Sequence, residues 1–242
     1  MVRMYFPNLP LTIRTALGQP LIALLCGLCL LPAVAFAACN DAPAAGVDWN
    51  GCEKNRLILR KAQLQGARLG GITLNGSDLA QANLSGADLT RASVERVRLS
   101  GADLERAKLV RLIAYRANFS EAKLVGADLT KAELMRSNFT SANLSNANLE
   151  KAELQRAVLS GAVLAGANLT GADLDRAIFT KSNLAGAKFA QARMFLTRLE
   201  GVDLTGVLGL GQSQLDSACG DSQTKLPKGL KPSSSWPCPK EE

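Results

Sequence analysis

The residues that could do chemistry in this chain are carboxylates and amides recurring every five residues, together with many arginines and lysines. The chain has no histidine, 28 Lys and Arg, and 21 Asp and Glu, which gives a formal net charge of +7. Asp and Asn fall mainly just before a leucine, as at Asn83, Asp88 and Asp128. Short polar side chains in such positions bond to nearby backbone groups in tight turns. No carboxylate pair, nucleophile with a base, or phosphate loop rises above this periodic background, so we predict no enzyme, no cofactor and no metal site.

The cationic residues are also periodic, with a spacing of 20. If 20 residues complete one turn of a coil, they form two columns on neighbouring corners, and the side between them is here called the basic face. The acids Glu133, Glu153 and Asp173 run along this face, with Glu95 and Asp175 close by. The first cation column is Arg91, Arg111, Lys131 and Lys151, and the second is Arg96, Arg116, Arg136, Arg156 and Arg176.

Stacked cations need compensation, because like charges about 5 Å apart repel by somewhat under 1 kcal/mol per neighbour in water. One interpretation is a surface lattice in which the acids of the basic face are the nearest partners of the arginines. The other is an anionic partner, such as phosphorylated lipid headgroups, an acidic envelope polysaccharide or an acidic protein. Nucleic acid fits the sign of the charge but is not expected beside an export signal and a surface poor in aromatics.

The element that must position these side chains is a five-residue sequence motif, which repeats from Ala62 to Leu204 without insertion or deletion. Its consensus is Ala-Asp/Asn-Leu-x-x. Neither the helical period of 3.6 nor the strand period of 2.0 explains this spacing. A four-sided coil does, with each leucine and the alanine two positions before it pointing inward. Equivalent residues in successive turns then lie about 4.8 Å apart.

This unbroken motif closely resembles the pentapeptide-repeat family. The resemblance implies an all-β fold, a right-handed quadrilateral β-helix, in which each turn buries its leucines against its neighbours as in other solenoids. The opening Gly46-Val47-Asp48-Trp49-x-Gly51-Cys52 and the C-terminal end are similar to exported members. The branch that protects DNA gyrase imitates DNA with an acidic surface in the cytoplasm. This basic, signal-bearing chain departs on both counts, so topoisomerase binding is a lower alternative.

The N-terminus reads as a secretory signal peptide. Arg3 and Arg14 precede an apolar run that closes with Ala35-Phe36-Ala37, the pattern of a signal-peptidase site. Two alternatives are an uncleaved membrane anchor, since the run just reaches the spanning limit, and a lipoprotein signal that leaves Cys39 acylated. We therefore predict an exported chain, periplasmic or secreted, with membrane association through Cys39 or the N-terminal segment as the alternative.

Four cysteines remain beyond the signal peptide, two near each end of the coil. Because bridged Cα atoms lie within about 7 Å, only local pairs can form. We predict disulfides Cys39–Cys52 and Cys219–Cys238, each worth about 3 kcal/mol in the loop-entropy model.

The chain divides into a signal peptide at 1–37, an N-terminal cap and first coil at 38–61, a solenoid at 62–206, and a C-terminal cap and tail at 207–242. Trp49 and Lys54 take leucine positions in the first turn, so that turn must be an open, solvated end. A short capping helix is predicted over 212–219. The swapped large and small residues at Leu112-Ile113-Ala114 predict a bulged side with Ile113 and Tyr115 exposed, or a small ligand groove.

The predicted function is a non-catalytic exported scaffold or binding module of the bacterial cell envelope, with an anionic partner along the basic face. A membrane-tethered structural lipoprotein is the second hypothesis.

Overall fold

The computed structural model describes residues 39–238, and the predicted signal peptide at 1–37 lies outside them. Between 39 and 238 the secondary structure consists of isolated parallel β-bridges and one α-helix, α1 (Gln212–Ser217). Each bridge joins residues one turn apart, so the backbone pairs across turns at single positions instead of along extended strands.

The coil has the predicted register of 20 residues per turn. Parallel bridges recur every five residues from Asp48↔Arg68 to Ile178↔Arg198. Between neighbouring turns, the Leu84 amide donates to the Asp103 carbonyl at 2.7 Å and the Asn83 amide to the Ala62 carbonyl at 2.9 Å. Four pentads therefore make one turn, and each turn is held to the next on every side by backbone hydrogen bonds.

The core is a set of columns of large side chains in the middle of the coil. Leu64 and Leu144 are fully buried, and Ala142, two positions before Leu144, is buried with it, whereas Ala62 in the first turns is half-buried. The Phe119 and Phe139 rings stack with centroids 4.8 Å apart and planes 2° apart. Where Ser137 replaces an alanine, its buried hydroxyl donates to the Ala114 carbonyl at 2.6 Å, so the polar atom is satisfied.

The residue before each leucine forms the predicted turn bond. Asp78 Oδ1 accepts from the Ala80 amide at 3.1 Å, and Asn138 Oδ1 accepts from the Thr140 amide at 2.9 Å. The corner residues have positive φ. Glycine is the usual residue at such corners, and Gly66 is one of them at +65°, but arginine and lysine occupy the same conformation, as at Arg136 with φ +59°. Gly206 does not have positive φ, whereas Gly209 does, at +71°.

The predicted bulge at Leu112-Ile113-Ala114 is wrong. Ile113 bridges both Ser93 and Glu133 in register, and Leu112 and Ala114 are both buried. The larger Leu112 compensates in volume for the smaller Ala114, so the side stays regular. Ile113 and Tyr115 are consequently half-buried, not exposed.

The N-terminal end is closed by an aromatic plug and a disulfide. Trp49 is 1% exposed, and Cys39 is bonded to Cys52 with their Cα atoms 5.6 Å apart. Lys54 is half-buried instead of fully solvated, with Nζ 4.2 Å from the centroid of the Trp49 ring. A cation over an aromatic face is stabilised there, which explains how a lysine occupies a leucine position.

The C-terminal end is covered by α1 and the tail. Leu215 of α1 is fully buried, and Gln214 Nε2 donates to the carbonyls of Phe189 at 2.8 Å and Ala192 at 2.9 Å. The helix ends before the predicted position because Ala218 is extended and Cys219 bridges back to the coil. Cys219 is bonded to Cys238, with Cα atoms 5.4 Å apart.

Candidate functional site

The two cation columns lie on neighbouring corners of the coil. Every member has positive φ, from +54° at Arg96 to +60° at Arg176, and every member except the half-buried Arg176 is exposed. Lys151 Nζ lies 3.6 Å from Glu150 Oε1. Setting Lys151 and Arg176 aside, the other column members make no ion pair with any residue in the described range 39–238.

The expected lattice between the acids of the basic face and the columns does not reach the seven column members other than Lys151 and Arg176. Glu133 accepts a hydrogen bond from the Tyr115 hydroxyl, and Asp173 pairs with Arg193 at 2.9 Å and accepts from Gln155 Nε2 at 2.8 Å. Asp175 also pairs with Arg193. These partners sit on the same side of the coil in a neighbouring turn, where stacked residues are only about 4.8 Å apart. The carboxylates of Glu133, Asp173 and Asp175 are therefore engaged along the face.

Charge is unevenly distributed along the basic face. In the three turns that contain residues 91–96, 111–116 and 131–136, six column cations face only Glu95 and Glu133, a net charge of +4. In the next two turns, Lys151, Arg156 and Arg176 face Glu153, Asp173 and Asp175, a net charge of zero. The positive potential is concentrated in the middle of the coil.

The same middle turns carry the apolar surface of this face. Ile113, Tyr115 and Met135 are half-buried between the columns. A groove of about 250 Å³ is lined by Tyr115, Arg116, Met135 and Arg136. None of residues 112–114, where the sequence offered a ligand groove as the alternative to a bulge, lines this groove.

Tyr115 is the only tyrosine among the described residues, and its pKa is raised. Its hydrogen bond to Glu133 raises the pKa of Tyr115 to about 12, with burial and the nearby carboxylates of Glu133, Glu153 and Glu95 acting in the same direction. A neutral phenol is needed to donate to the carboxylate. The hydroxyl therefore stays protonated at neutral pH, and its ring is held against the face.

A second, larger cleft lies between the coil and α1. It has a volume of about 530 Å³, and its walls include Phe195, Arg193 and Gln214. Phe195 is 54% exposed. Arg193 is already paired with two carboxylates, so this cleft has no unpaired charge to attract a ligand.

Within residues 39–238, no cluster of three or more His, Cys, Asp or Glu side chains could hold a metal ion. In the same range, no helix has the length and apolar character needed to cross a bilayer. The basic face therefore combines exposed charges with a shallow groove that has an apolar floor.

The described fold is that of a solenoid of five-residue repeats, and the family comparison agrees. A model described as pentapeptide repeats matches the chain in eight copies over residues 58–96 and 98–208, more than half of its length. The chain belongs to the pentapeptide repeat family. Proteins of this family fold as right-handed quadrilateral β-helices, and the 20-residue bridge register agrees with that fold.

Three solved structures illustrate what this chain is similar to. Full-length QnrB1, a plasmid-mediated fluoroquinolone resistance protein, is 16% identical over 75% of this chain and 91% of its own, with a TM-score of 0.43. HetL, involved in heterocyst differentiation regulation in the cyanobacterium Nostoc sp. strain PCC 7120, is 28% identical over 75% and 90%, with a TM-score of 0.26. A protein of the Arabidopsis thaliana thylakoid lumen is 25% identical over 52% and 70%, with a TM-score of 0.31. No curated protein shows significant sequence similarity to the chain.

Sequence reasoning found the columns but missed the Tyr115–Glu133 hydrogen bond and the groove beside it. A signal was available, because Tyr115 and Met135 stand 20 residues apart at outward positions of the face that carries the columns. Two large apolar side chains stacked on a charged face indicate a local apolar surface.

Proposed function

We propose that this chain is an exported, non-catalytic binding scaffold of the bacterial cell envelope that holds an anionic partner along its basic face. One observation carries the proposal: seven of the nine column cations are exposed and have no ion pair among the described residues, while Glu133 is bonded to Tyr115, and Asp173 and Asp175 are paired with Arg193. An anionic partner relieves the repulsion within each column and is attracted by the summed field.

The scaffold supplies the spacing of the charges. Each column cation sits at a corner whose backbone is hydrogen-bonded to the next turn, as at Arg116, whose amide donates to the Met135 carbonyl at 3.1 Å. The Cα atoms of successive cations are therefore about 4.8 Å apart. Because the backbone of the columns is already ordered, only the long side chains lose conformational freedom when a partner binds.

Export is supported by the cysteines. Disulfides such as Cys39–Cys52 and Cys219–Cys238 persist in oxidising compartments and are rare in the cytosol. A Cys39 sulfur bonded to Cys52 has no thiol left to carry a lipid, so this pairing favours a lipid-free chain over the lipoprotein hypothesis. Fractionation of cells that express a C-terminally tagged chain tests this part of the proposal. Recovery of the tag in the cytoplasmic fraction would contradict it.

Binding is tested with three probes at low salt: poly-glutamate, vesicles containing phosphatidylglycerol, and the acidic polysaccharide alginate. We expect the wild type to bind at least one of them, with an affinity that falls steeply as salt increases. The variant carries Arg96→Gln, Arg116→Gln and Arg136→Gln together. Losing three of the six cations in the middle turns should lower the affinity about tenfold or more at low salt.

A matched variant separates position from net charge. Lys61→Gln, Lys123→Gln and Lys181→Gln remove the same three charges from exposed residues on other parts of the coil. This control should bind almost as well as the wild type. If both triple variants lose affinity equally, or if the wild type binds none of the probes, the basic face is not a binding site.

A further inference from the structure

The groove in the middle of the basic face combines an apolar floor with a cationic rim. Tyr115 and Met135 are half-buried and form the floor, while Arg116 and Arg136 are exposed and stand at the corner beside it. Neither arginine has an ion pair in the part of the chain that the structure describes. A ligand that fills this groove must offer apolar surface and negative charge within a few ångströms of each other.

Glu133, the acid bonded to the tyrosine of the groove, forms no ion pair with either arginine of this rim. Glu133 accepts the hydrogen bond of the Tyr115 hydroxyl, which stays protonated well above neutral pH. The hydrogen bond uses the carboxylate to fix the tyrosine ring. The ring is then a preorganised wall, so little side-chain freedom is lost when a ligand packs against it.

The charges around the groove favour one kind of occupant. A second copy of the chain would bring net positive middle turns face to face, which is repulsive. A membrane surface is flat, so it would press Glu95 and Glu133 against anionic headgroups and leave the groove unfilled. An extended acidic peptide can place one apolar side chain in the groove and carboxylates on either side. Tyr, Met and Arg, the residue types that line the groove, are also those enriched in protein–protein interfaces.

We propose that this groove is the anchor site for an acidic segment of a partner protein, with an aromatic or large aliphatic side chain in the groove and carboxylates on the guanidinium groups of Arg116 and Arg136. The inference rests on the proposed binding function of the basic face and adds the class of partner and the point of attachment.

The test compares two fluorescein-labelled nonapeptides, EEEEFEEEE and EEEEGEEEE, by fluorescence anisotropy with the exported chain. The two peptides have the same charge and differ only in the central side chain. Partial burial of a phenylalanine side chain should make the first bind about fivefold to tenfold more tightly. The variant Met135→Ala removes part of the apolar floor of the groove, so it should reduce this preference to about twofold or less without changing the affinity for EEEEGEEEE.

Val125→Ala is the matched control. Val125 occupies the same position of its pentad as Met135, directly after the central leucine, and is also half-buried, but it lies on a different side of the coil. This variant should keep the preference of the wild type. Thermal melts followed by circular dichroism establish that both variants are folded.

The outcomes separate this inference from the proposed function. Equal binding of the two peptides by the wild type would contradict the proposal that the groove is an anchor site, but the basic face would remain a binding site. Binding of phosphatidylglycerol vesicles but of neither peptide would overturn the protein partner in favour of a membrane surface. Failure to bind peptides, vesicles and alginate alike would overturn both.

Discussion

At the scale of single residues, the corner positions show how strongly the coil constrains its backbone. Corners with positive φ carry glycine at Gly66 and glutamine at Gln81, with φ of +65° and +59°. An L-residue in this region is strained by about 1–2 kcal/mol relative to the right-handed region. Neighbouring turns nevertheless hold such corners in place through bonds such as that from the Gln81 amide to the Ser100 carbonyl at 2.9 Å.

Substitutions at these two corners measure the backbone strain of a non-glycine residue with positive φ. A Cβ added at Gly66 would meet no atom within 4 Å, so Gly66→Ala tests conformation alone and should lower the free energy of unfolding by about 1 kcal/mol. Gln81→Gly should be neutral or stabilising by up to about 1 kcal/mol, because relief of strain exceeds the extra entropy of the unfolded chain. Urea unfolding of both variants gives the values. A more stable Gly66→Ala would show that the corner imposes no strain.

At the scale of elements, the tail is attached to the last turn of the coil by a polar cluster around Asp203. Thr205 donates to Asp203 Oδ1 from its hydroxyl at 2.6 Å and from its amide at 3.0 Å, and Lys225 Nζ lies 3.2 Å from Oδ2. The pKa of Asp203 is lowered to about 2. The hydrogen bond from the Thr205 hydroxyl has the largest effect, followed by the bond from the Thr205 amide and then by Lys225. The ionised carboxylate thus links the coil to the segment that follows α1.

This cluster predicts a specific acid sensitivity. Because the pKa of Asp203 is lower in the folded chain than its ordinary value of 3.8, its stabilising effect is complete above about pH 4 and is lost as the pH falls toward 2. Asp203→Asn should therefore be less stable than the wild type at pH 7, and most of this difference should be gone at pH 2. Urea midpoints at pH 7, 4 and 2 measure the difference. Lys225→Gln should show a smaller loss at pH 7, since Thr205 supplies the stronger hydrogen bonds.

Several elements were predictable from the sequence because a residue type that recurs at a fixed spacing indicates positions with the same structural environment. The leucine period gives the 20-residue register, Asp and Asn before leucine give the turn bonds, and the spacing of Cys219 and Cys238 gives a local disulfide. Side-chain partners across turns were not predictable in this way. Whether Glu133 turns toward a corner arginine or toward Tyr115 depends on rotamers and on distances of a few ångströms. The strained corners were hidden for a similar reason, since arginine is not a usual residue for positive φ.

At the scale of the whole molecule, a solenoid is stabilised by contacts between adjacent turns, so its ends are its weakest parts. A middle turn is hydrogen-bonded on both sides, whereas a terminal turn has one neighbour. In this chain each end carries a disulfide. Cys39–Cys52 closes the first turn beside Trp49, and Cys219–Cys238 ties the tail back beside α1. Both cross-links restrain the segments that would otherwise fray first.

Reduction should therefore loosen the ends and spare the middle. Each disulfide closes a short loop, with sequence separations of 13 and 19, and contributes about 3 kcal/mol in the loop-entropy model. Hydrogen exchange read by mass spectrometry, with and without a reductant, resolves the effect along the chain. Peptides from residues 46–65 and 207–238 should exchange about 100-fold faster after reduction, while peptides around Leu144 should change little. Cys39→Ser with Cys52→Ser should reproduce the effect at the N-terminal end alone. A uniform increase along the coil would show instead that the turns unfold as one cooperative unit, with the disulfides stabilising all of them equally.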